Sequence, residues 1–132
     1  MYNYGQASTK NLETCHEKLQ RLFAIVIKYY DISIVCGYRD KDTQDKYYRR
    51  GSSKLMYPMS KHNQYPSLAV DFAAYHKGVG ISWNEKDALL ISGFIEGIAI
   101  GLGIKVRIGS RWNHPFPSQN TFMDAFHIEL VE

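Results

Sequence analysis

The chain of 132 residues has few cysteines, few prolines and no long uninterrupted hydrophobic run. Its 2 cysteines, Cys15 and Cys36, each lie within apolar periodicity, which favours buried free thiols over a disulfide or a metal pair. No basic segment followed by an apolar one occurs at the start, so no secretory signal is predicted. The longest apolar stretch, residues 88–104, contains Glu96 and 4 glycines and is shorter than the about 20 residues of a membrane span. We therefore expect a protein made in the cytoplasm, without stable membrane insertion.

The composition predicts one folded domain over residues 1–132. A hydrophobic content of 45% with 22% charged residues is typical of a globular chain and excludes long disorder. The net charge of +3 comes from 16 basic and 13 acidic residues, with basic residues gathered around Arg49 and Arg50. That mild excess is compatible with a nucleic-acid-binding surface, but it is also typical of a solvated helix face.

Hydrophobic periodicity predicts an α+β fold. Apolar residues at three- and four-residue steps predict a helix from about residue 9 to 30, capped by Ser8 or Thr9, and a second long helix from Asn84 to Gly101. A shorter helix is predicted over residues 40–48, and strands are predicted over residues 32–36, 68–75, 104–108 and 125–131. This order indicates a small antiparallel or mixed sheet with helices packed on one side.

Asp71 is chemically conspicuous because it lies inside an otherwise apolar predicted strand. An ionised carboxylate in such a place costs several kcal/mol unless it is paired, protonated or bound to a metal. His62 precedes it across a turn that contains Pro66, and His127 lies on the last predicted strand, whose alternation allows the ring to face Asp71. Two imidazoles and one carboxylate around zinc leave a fourth position for water, as in catalytic zinc sites.

Other polar residues have weaker or alternative interpretations. A lone histidine is usually a hydrogen-bonded core or surface residue, and His16 and His76 lack companions. His114 lies in an aromatic loop with Trp112 that could border a site. Asp124 lies three residues before His127, so it can enter the same pocket and move a proton without ligating the metal.

These motifs carry a family resemblance. The patterns Ser-x-His, Ala-x-Asp and Asp-x-x-His resemble the signature of the VanY-like zinc peptidase family, which includes D,D-peptidases and L-alanyl-D-glutamate peptidases. The segment before the first motif is also similar to that family, and the beginning of the chain resembles its small phage endolysins. The residues that carry these two further similarities are Gly37, Tyr38, Arg39, Gln44 and residues 51–53, and then Ser8, Asn11 and Leu12.

The resemblance implies roles for particular residues. It implies His62, Asp71 and His127 as the ligands of one zinc ion, Asp124 as general base and acid, and Arg39 as a residue that holds substrate or polarises its carbonyl. Residues expected to bind substrate or to support the ligands are Ser60, Gln44, Trp112 and His114.

The implied function is that of a single catalytic peptidase domain, an endolysin without a separate cell-wall-binding domain. It would hydrolyse an amide bond in the peptide stem of peptidoglycan, with L-alanyl-D-glutamate as the expected bond. Two alternatives stay open: a D-alanyl-D-alanine carboxypeptidase, and a non-catalytic zinc-stabilised binding module. We expect a monomer made in the host cytoplasm that acts on the wall after release, with a holin-type export partner implied by the family. No nucleic-acid partner is expected, because that reading leaves Asp71 unexplained.

Overall fold

The computed structural model describes residues 1–109 and 125–131, and their strands form one antiparallel sheet. The helices are α1 (Gln6–Glu13), α2 (Glu17–Val26), α3 (Lys41–Arg49) and α4 (Glu85–Leu102), with a 3-10 turn at Lys61–Asn63. The strands are β1 (Ile32–Cys36), β2 (Ala69–His76), β3 (Gly80–Ser82), β4 (Val106–Ile108) and β5 (His127–Leu130). The strand order is β1-β2-β5-β4, and the short β3 also pairs with β2. The predicted α+β class is confirmed, and the sheet is antiparallel.

The single helix predicted over residues 9–30 is wrong, because the segment forms α1 and α2 with a break between them. At the break Cys15 forms a backbone bridge with Ser67, and the His16 ring accepts a hydrogen bond from the Lys18 amide at 3.1 Å as the cap of α2. The cap of α1 is Gly5, whereas Ser8 lies within the helix and accepts a hydrogen bond from the amide of Ile34. The apolar residues of both helices pack into the same core. Their three- and four-residue spacing therefore continues across the break and conceals it.

The long helix α4 agrees with its prediction. The Asn84 side chain accepts a hydrogen bond from the Lys86 amide at 2.8 Å and caps the first turn. Gly103 ends the helix with φ of 72°, a left-handed conformation that glycine adopts without steric cost. Within residues 1–109 and 125–131, no helix has both the length and the apolar character needed to cross a membrane.

The two faces of the sheet have different chemistry. One face carries the hydrophobic core, to which α1, α2 and α4 contribute buried side chains. The residues of this core on β2 and β5 are Val70, Phe72, Ala74, Ile128 and Leu130. On the opposite face, the antiparallel register pairs Asp71 with His127 and Ala69 with Glu129. Because directly paired residues project to the same side of a sheet, the polar residues of β2 and β5 are brought together there.

Candidate metal centre

The carboxylate of Asp71 is the centre of a buried polar cluster. Its Oδ1 atom lies 3.2 Å from Nε2 of His62 and 2.9 Å from Nδ1 of His127. Its Oδ2 atom accepts a hydrogen bond from Nη2 of Arg39 at 3.2 Å. The expectation that this strand carboxylate has charged or polar partners is therefore confirmed. The structure brings Arg39, His62, Asp71 and His127 together from four separate segments of the chain.

Local structure fixes the orientation of His62. Ser60 caps the 3-10 turn, and its Oγ accepts a hydrogen bond from the His62 amide at 3.2 Å. The ring Nδ1 lies 2.7 Å from the carbonyl oxygen of Gly37. Since a carbonyl oxygen can only accept, Nδ1 carries a proton, and Nε2 is the ring nitrogen that faces Asp71.

The carbonyl group that contacts His62 belongs to Gly37, at a position with no room for a side chain. A Cβ atom at this position would approach the carbonyl oxygen of Asn11 to 2.3 Å, well inside van der Waals contact. The close approach lets α1 pack beside the end of β1. The position of the His62 ring therefore depends on the docking of α1.

His127 is oriented by a second carboxylate. Its Nε2 lies 3.0 Å from Oε1 of Glu129, while its Nδ1 faces Asp71. The rings of His62 and His127 meet edge to face with centroids 5.1 Å apart. One nitrogen of each ring thus approaches the same oxygen of Asp71, and each remaining nitrogen has a fixed oxygen partner.

The electrostatics of the cluster follow from this convergence. Burial by itself raises the pKa of the Asp71 carboxyl, but His62 and His127 beside it hold that pKa well below its usual range. Burial opposes charge on His62, yet the charge of Asp71 raises the His62 pKa to about 10. The His127 pKa is raised as well, by its hydrogen bonds to Asp71 and Glu129 acting against burial. A cation, either a proton or a metal ion, is therefore strongly favoured between the rings and the carboxylate.

A network behind the carboxylate fixes Arg39. Oε1 of the fully buried Gln44 accepts hydrogen bonds from Nη1 of Arg39 at 2.9 Å and from Nδ2 of Asn63 at 3.1 Å. The guanidinium also lies over the ring of Tyr47, 4.2 Å from its centroid. Ser60 and Gln44 thus support the residues around Asp71, and their role behind a metal-ligand set stays a prediction. Contact between Arg39 and substrate stays a prediction.

Cys36 belongs to this cluster, which the sequence interpretation missed. The side chains of Cys36, His62 and Asp71 each place a possible ligand atom so that these atoms lie within 4.8 Å of one another. Both cysteines are free, as predicted, and Cys15 is buried, but Cys36 is only partly buried, so the prediction of a buried thiol is wrong for Cys36. The available signal was its position at the end of a strand directly before Gly37, next to the family motif.

Glu129 is a second residue that was not assigned a role. Its buried carboxylate contacts Nζ of Lys61 at 3.5 Å and Nη2 of Arg107 at 3.1 Å, in addition to His127. Burial alone would raise the pKa of the Glu129 carboxyl. The lowering by His127, Arg107 and Lys61 is larger, so the pKa lies below its usual range and the group is ionised at neutral pH. Strand alternation places Glu129 two residues from His127 on the same face, and this spacing was the signal.

The remaining predicted residues lie away from this cluster or outside the described segments. His16 caps α2, and the exposed His76 pairs with Asp87 at 2.8 Å, in agreement with structural or surface roles. Trp112, His114 and Asp124 fall outside residues 1–109 and 125–131.

Comparisons with known proteins agree over almost the whole chain. The model of the phage L-alanyl-D-glutamate peptidase family matches residues 1–131. The L-alanyl-D-glutamate peptidase of Escherichia phage T5 is 33% identical over 138 residues, covering 98% of each chain. The crystal structure of the Serratia marcescens L-Ala D-Glu endopeptidase ChiX superposes with a TM-score of 0.77 at 28% identity, covering 98% of this chain and 90% of that chain. The chain therefore belongs to the phage L-alanyl-D-glutamate peptidase family.

Proposed function

We propose that the protein hydrolyses the L-alanyl-D-glutamate bond in the peptide stem of peptidoglycan, using one zinc ion held by His62, Asp71 and His127. The observation that carries the proposal is the convergence of two imidazole nitrogens on Oδ1 of Asp71, at 3.2 Å and 2.9 Å. Family membership supports the reaction, and the cluster supports the metal.

The residues present fit a zinc ion. Nε2 of His62 is buried and has no hydrogen-bond partner within the part of the chain that the structure describes. A neutral imidazole lone pair facing a carboxylate oxygen is unfavourable unless a cation lies between them. Nitrogen and carboxylate donors are a ligand set that zinc uses in catalytic sites, whereas calcium and magnesium prefer oxygen alone. An orphaned nitrogen beside an ionised carboxylate is therefore what a metal-binding pocket requires.

Each protein group then has a defined task. When bound, zinc would polarise the scissile carbonyl and lower the pKa of a water molecule towards about 7. Asp124 would take the proton of the attacking water and transfer it to the leaving amine. Arg39, through its hydrogen bond to Asp71, keeps the carboxylate oriented so that Oδ1 faces the two rings.

Glu129 provides a test of how His127 is held. In a metal-bound histidine, the ring nitrogen that does not bind the metal commonly donates a hydrogen bond to a carboxylate. Removing that carboxylate typically weakens metal binding by about 10- to 100-fold. We expect Glu129→Gln to weaken zinc binding by this amount, because the amide loses the negative charge that orients the His127 ring. Competition with a chromophoric chelator measures the affinity.

Glu13→Gln is the matched control, since Glu13 is exposed at the end of α1. It should bind zinc as tightly as the unaltered protein. Equal affinity in the Glu129 variant and the control would show that Glu129 does not orient a ligand.

The reaction itself is tested by digesting purified Gram-negative peptidoglycan and identifying the fragments by mass. Cleavage of the expected bond leaves L-alanine on the glycan strand and releases peptides that begin with D-glutamate. We expect these products with the zinc-loaded protein, their loss after removal of metal by a chelator, and their return when zinc is added, because the chemistry requires the ion.

The same digest separates the alternatives. Release of free D-alanine, with stem peptides otherwise intact, would assign the protein as a D-alanyl-D-alanine carboxypeptidase. Wall binding without any fragment would indicate the non-catalytic module. Hydrolysis that persists after complete removal of metal would contradict the zinc assignment while leaving the peptidase assignment in place.

We propose further that the enzyme acts as a monomer. All the residues assigned to the metal and to proton transfer lie in one chain, so a second subunit is not needed to complete the site. Synthesis in the host cytoplasm and delivery to the wall with a holin-type partner are expectations that rest on the family resemblance.

A further inference from the structure

Cys36, Asp71 and His127 lie in one row across three neighbouring strands. The register pairs Cys36 with Asp71 on one side of β2, and Asp71 with His127 on the other. Directly paired residues project to the same face, so the thiol lies beside the carboxylate at the position opposite the His127 ring. The row therefore places a sulfur donor on one side of the Asp71 carboxylate and a nitrogen donor on the other.

An irregularity in β1 produces this arrangement. Ile32, Ser33 and Ile34 pair in sequence with residues 74, 73 and 72, but the register then shifts so that Cys36 pairs with Asp71. Without the shift, Val35 would be opposite Asp71. A β-bulge of this kind redirects a side chain, and bulges are frequent beside active sites.

The Cys36 thiol is close to the ring nitrogen of the cluster that has no hydrogen-bond partner among the described residues. Cys36, His62 and Asp71 offer ligand atoms that lie within 4.8 Å of one another, and Nε2 of the almost completely buried His62 has no hydrogen-bond partner in residues 1–109 and 125–131. Within the described residues, the Cys36 sulfur has hydrogen-bond contacts at 3.6 Å to the Gly37 carbonyl oxygen and at 3.6 Å from Nη2 of Arg39, which are ordinary distances for sulfur. Neither contact withdraws the sulfur from the cluster.

We propose that Cys36 is a fourth protein ligand of the metal ion in the resting enzyme. As the Sγ–metal bond forms, the thiol proton leaves to solvent, because a coordinating thiol is deprotonated by the ion. This inference rests on the proposed metal site and adds a ligand to it. His62, Asp71, His127 and Cys36 together make the four-coordinate set that zinc commonly adopts.

A fourth protein ligand changes the behaviour of the resting site. Catalytic zinc sites keep one position open, whereas four protein ligands close a tetrahedral site. The water molecule of the proposed reaction would then reach the ion only if the thiolate left it or the ion accepted a fifth ligand. A soft sulfur donor also shifts the metal preference of the pocket away from manganese and magnesium and towards zinc.

The test is X-ray absorption of the zinc-loaded protein without substrate. Sulfur ligation gives a scattering shell at about 2.3 Å, distinct from the nitrogen and oxygen shell at about 2.0–2.1 Å. We expect one sulfur per zinc in the unaltered protein, no sulfur in Cys36→Ser, and at least about a tenfold loss of zinc affinity in that variant. Cys15→Ala is the matched control, because it removes the other thiol, which is buried in the core, and it should retain the sulfur shell.

The outcomes separate this inference from the proposed function. Zinc bound with only nitrogen and oxygen neighbours would overturn the role of Cys36 and leave the three-ligand site intact. Absence of stoichiometric zinc binding would overturn both. The spectrum of the unaltered protein decides the matter even if Cys36→Ser fails to fold. Alkylation gives an independent reading: zinc should protect Cys36 from a thiol reagent, and unchanged reactivity on zinc loading would contradict the proposal.

Discussion

Replacing Asp71 with asparagine is expected to abolish zinc binding and to lower kcat on peptidoglycan by about 10³-fold or more. Metal-ion catalysis contributes several kcal/mol of transition-state stabilisation, and each 1.4 kcal/mol corresponds to about a factor of ten in rate. The substitution removes the negative charge of a carboxylate that both imidazoles approach, at 3.2 Å and 2.9 Å. Zinc content of the purified variant and turnover of stem peptides measure the two effects.

The same change should also lower the free energy of unfolding in the absence of metal. It leaves the buried guanidinium of Arg39 without its counter-charge, and breaking a buried ion pair by removing one partner typically costs about 3–5 kcal/mol. Urea unfolding of the metal-free proteins measures this cost. Asp45→Asn is the matched control, because Asp45 pairs with the exposed Lys41 on the surface of α3, so that activity and stability should remain close to those of the unaltered protein. Normal zinc content in the Asp71 variant would contradict the ligand assignment.

Replacing Asp124 should separate chemistry from metal binding. General acid–base catalysis by a positioned side chain typically contributes about 10²- to 10⁴-fold, so Asp124→Asn is expected to lower kcat by that range. Zinc content should stay at one ion per chain, because the change leaves His62, Asp71 and His127 intact. Single-turnover hydrolysis of stem peptides, with metal analysis of the same sample, measures both quantities.

Two further variants serve as controls for this experiment. Asp42→Asn replaces an exposed aspartate in the first turn of α3 and should have no effect on either quantity. His127→Ala should lose zinc and hydrolysis together, since it removes a proposed ligand. Degradation of purified cell walls at a near-normal rate by the Asp124 variant would show that another group carries the proton.

The sequence alone predicted most of the helices and strands. It also predicted that Asp71 needs a charged or polar partner. Asp71 is the one charged residue of the strand predicted over residues 68–75, and the cost of burying an unpaired carboxylate can be recognised without a structure. The strand and helix boundaries at β1, α3 and α4 follow from β-branched residues and capping side chains, which also act locally.

Other features depended on contacts between distant segments. The break between α1 and α2 arises from a backbone bridge between Cys15 and Ser67, which periodicity within one segment cannot reveal. The place of Cys36 depends on the register shift in β1, and a shift of one residue reverses which face a side chain occupies. Glu129 acquires its role through pairing of β5 with β2. Charge patterning alone does not indicate that pairing.

The strand order also determines when during synthesis the enzyme can become active. β5 comes after the other described strands in the chain, yet it lies between β2 and β4 in the sheet. Until the ribosome has released residues 127–130, the sheet lacks this inner strand and the nascent chain lacks His127, so no earlier product of translation can hold the proposed set of three ligands. Pairings between segments so far apart in sequence also form late and slowly in folding. The fold thus delays assembly of the proposed site until β5, which follows the other described strands in the chain, has been made.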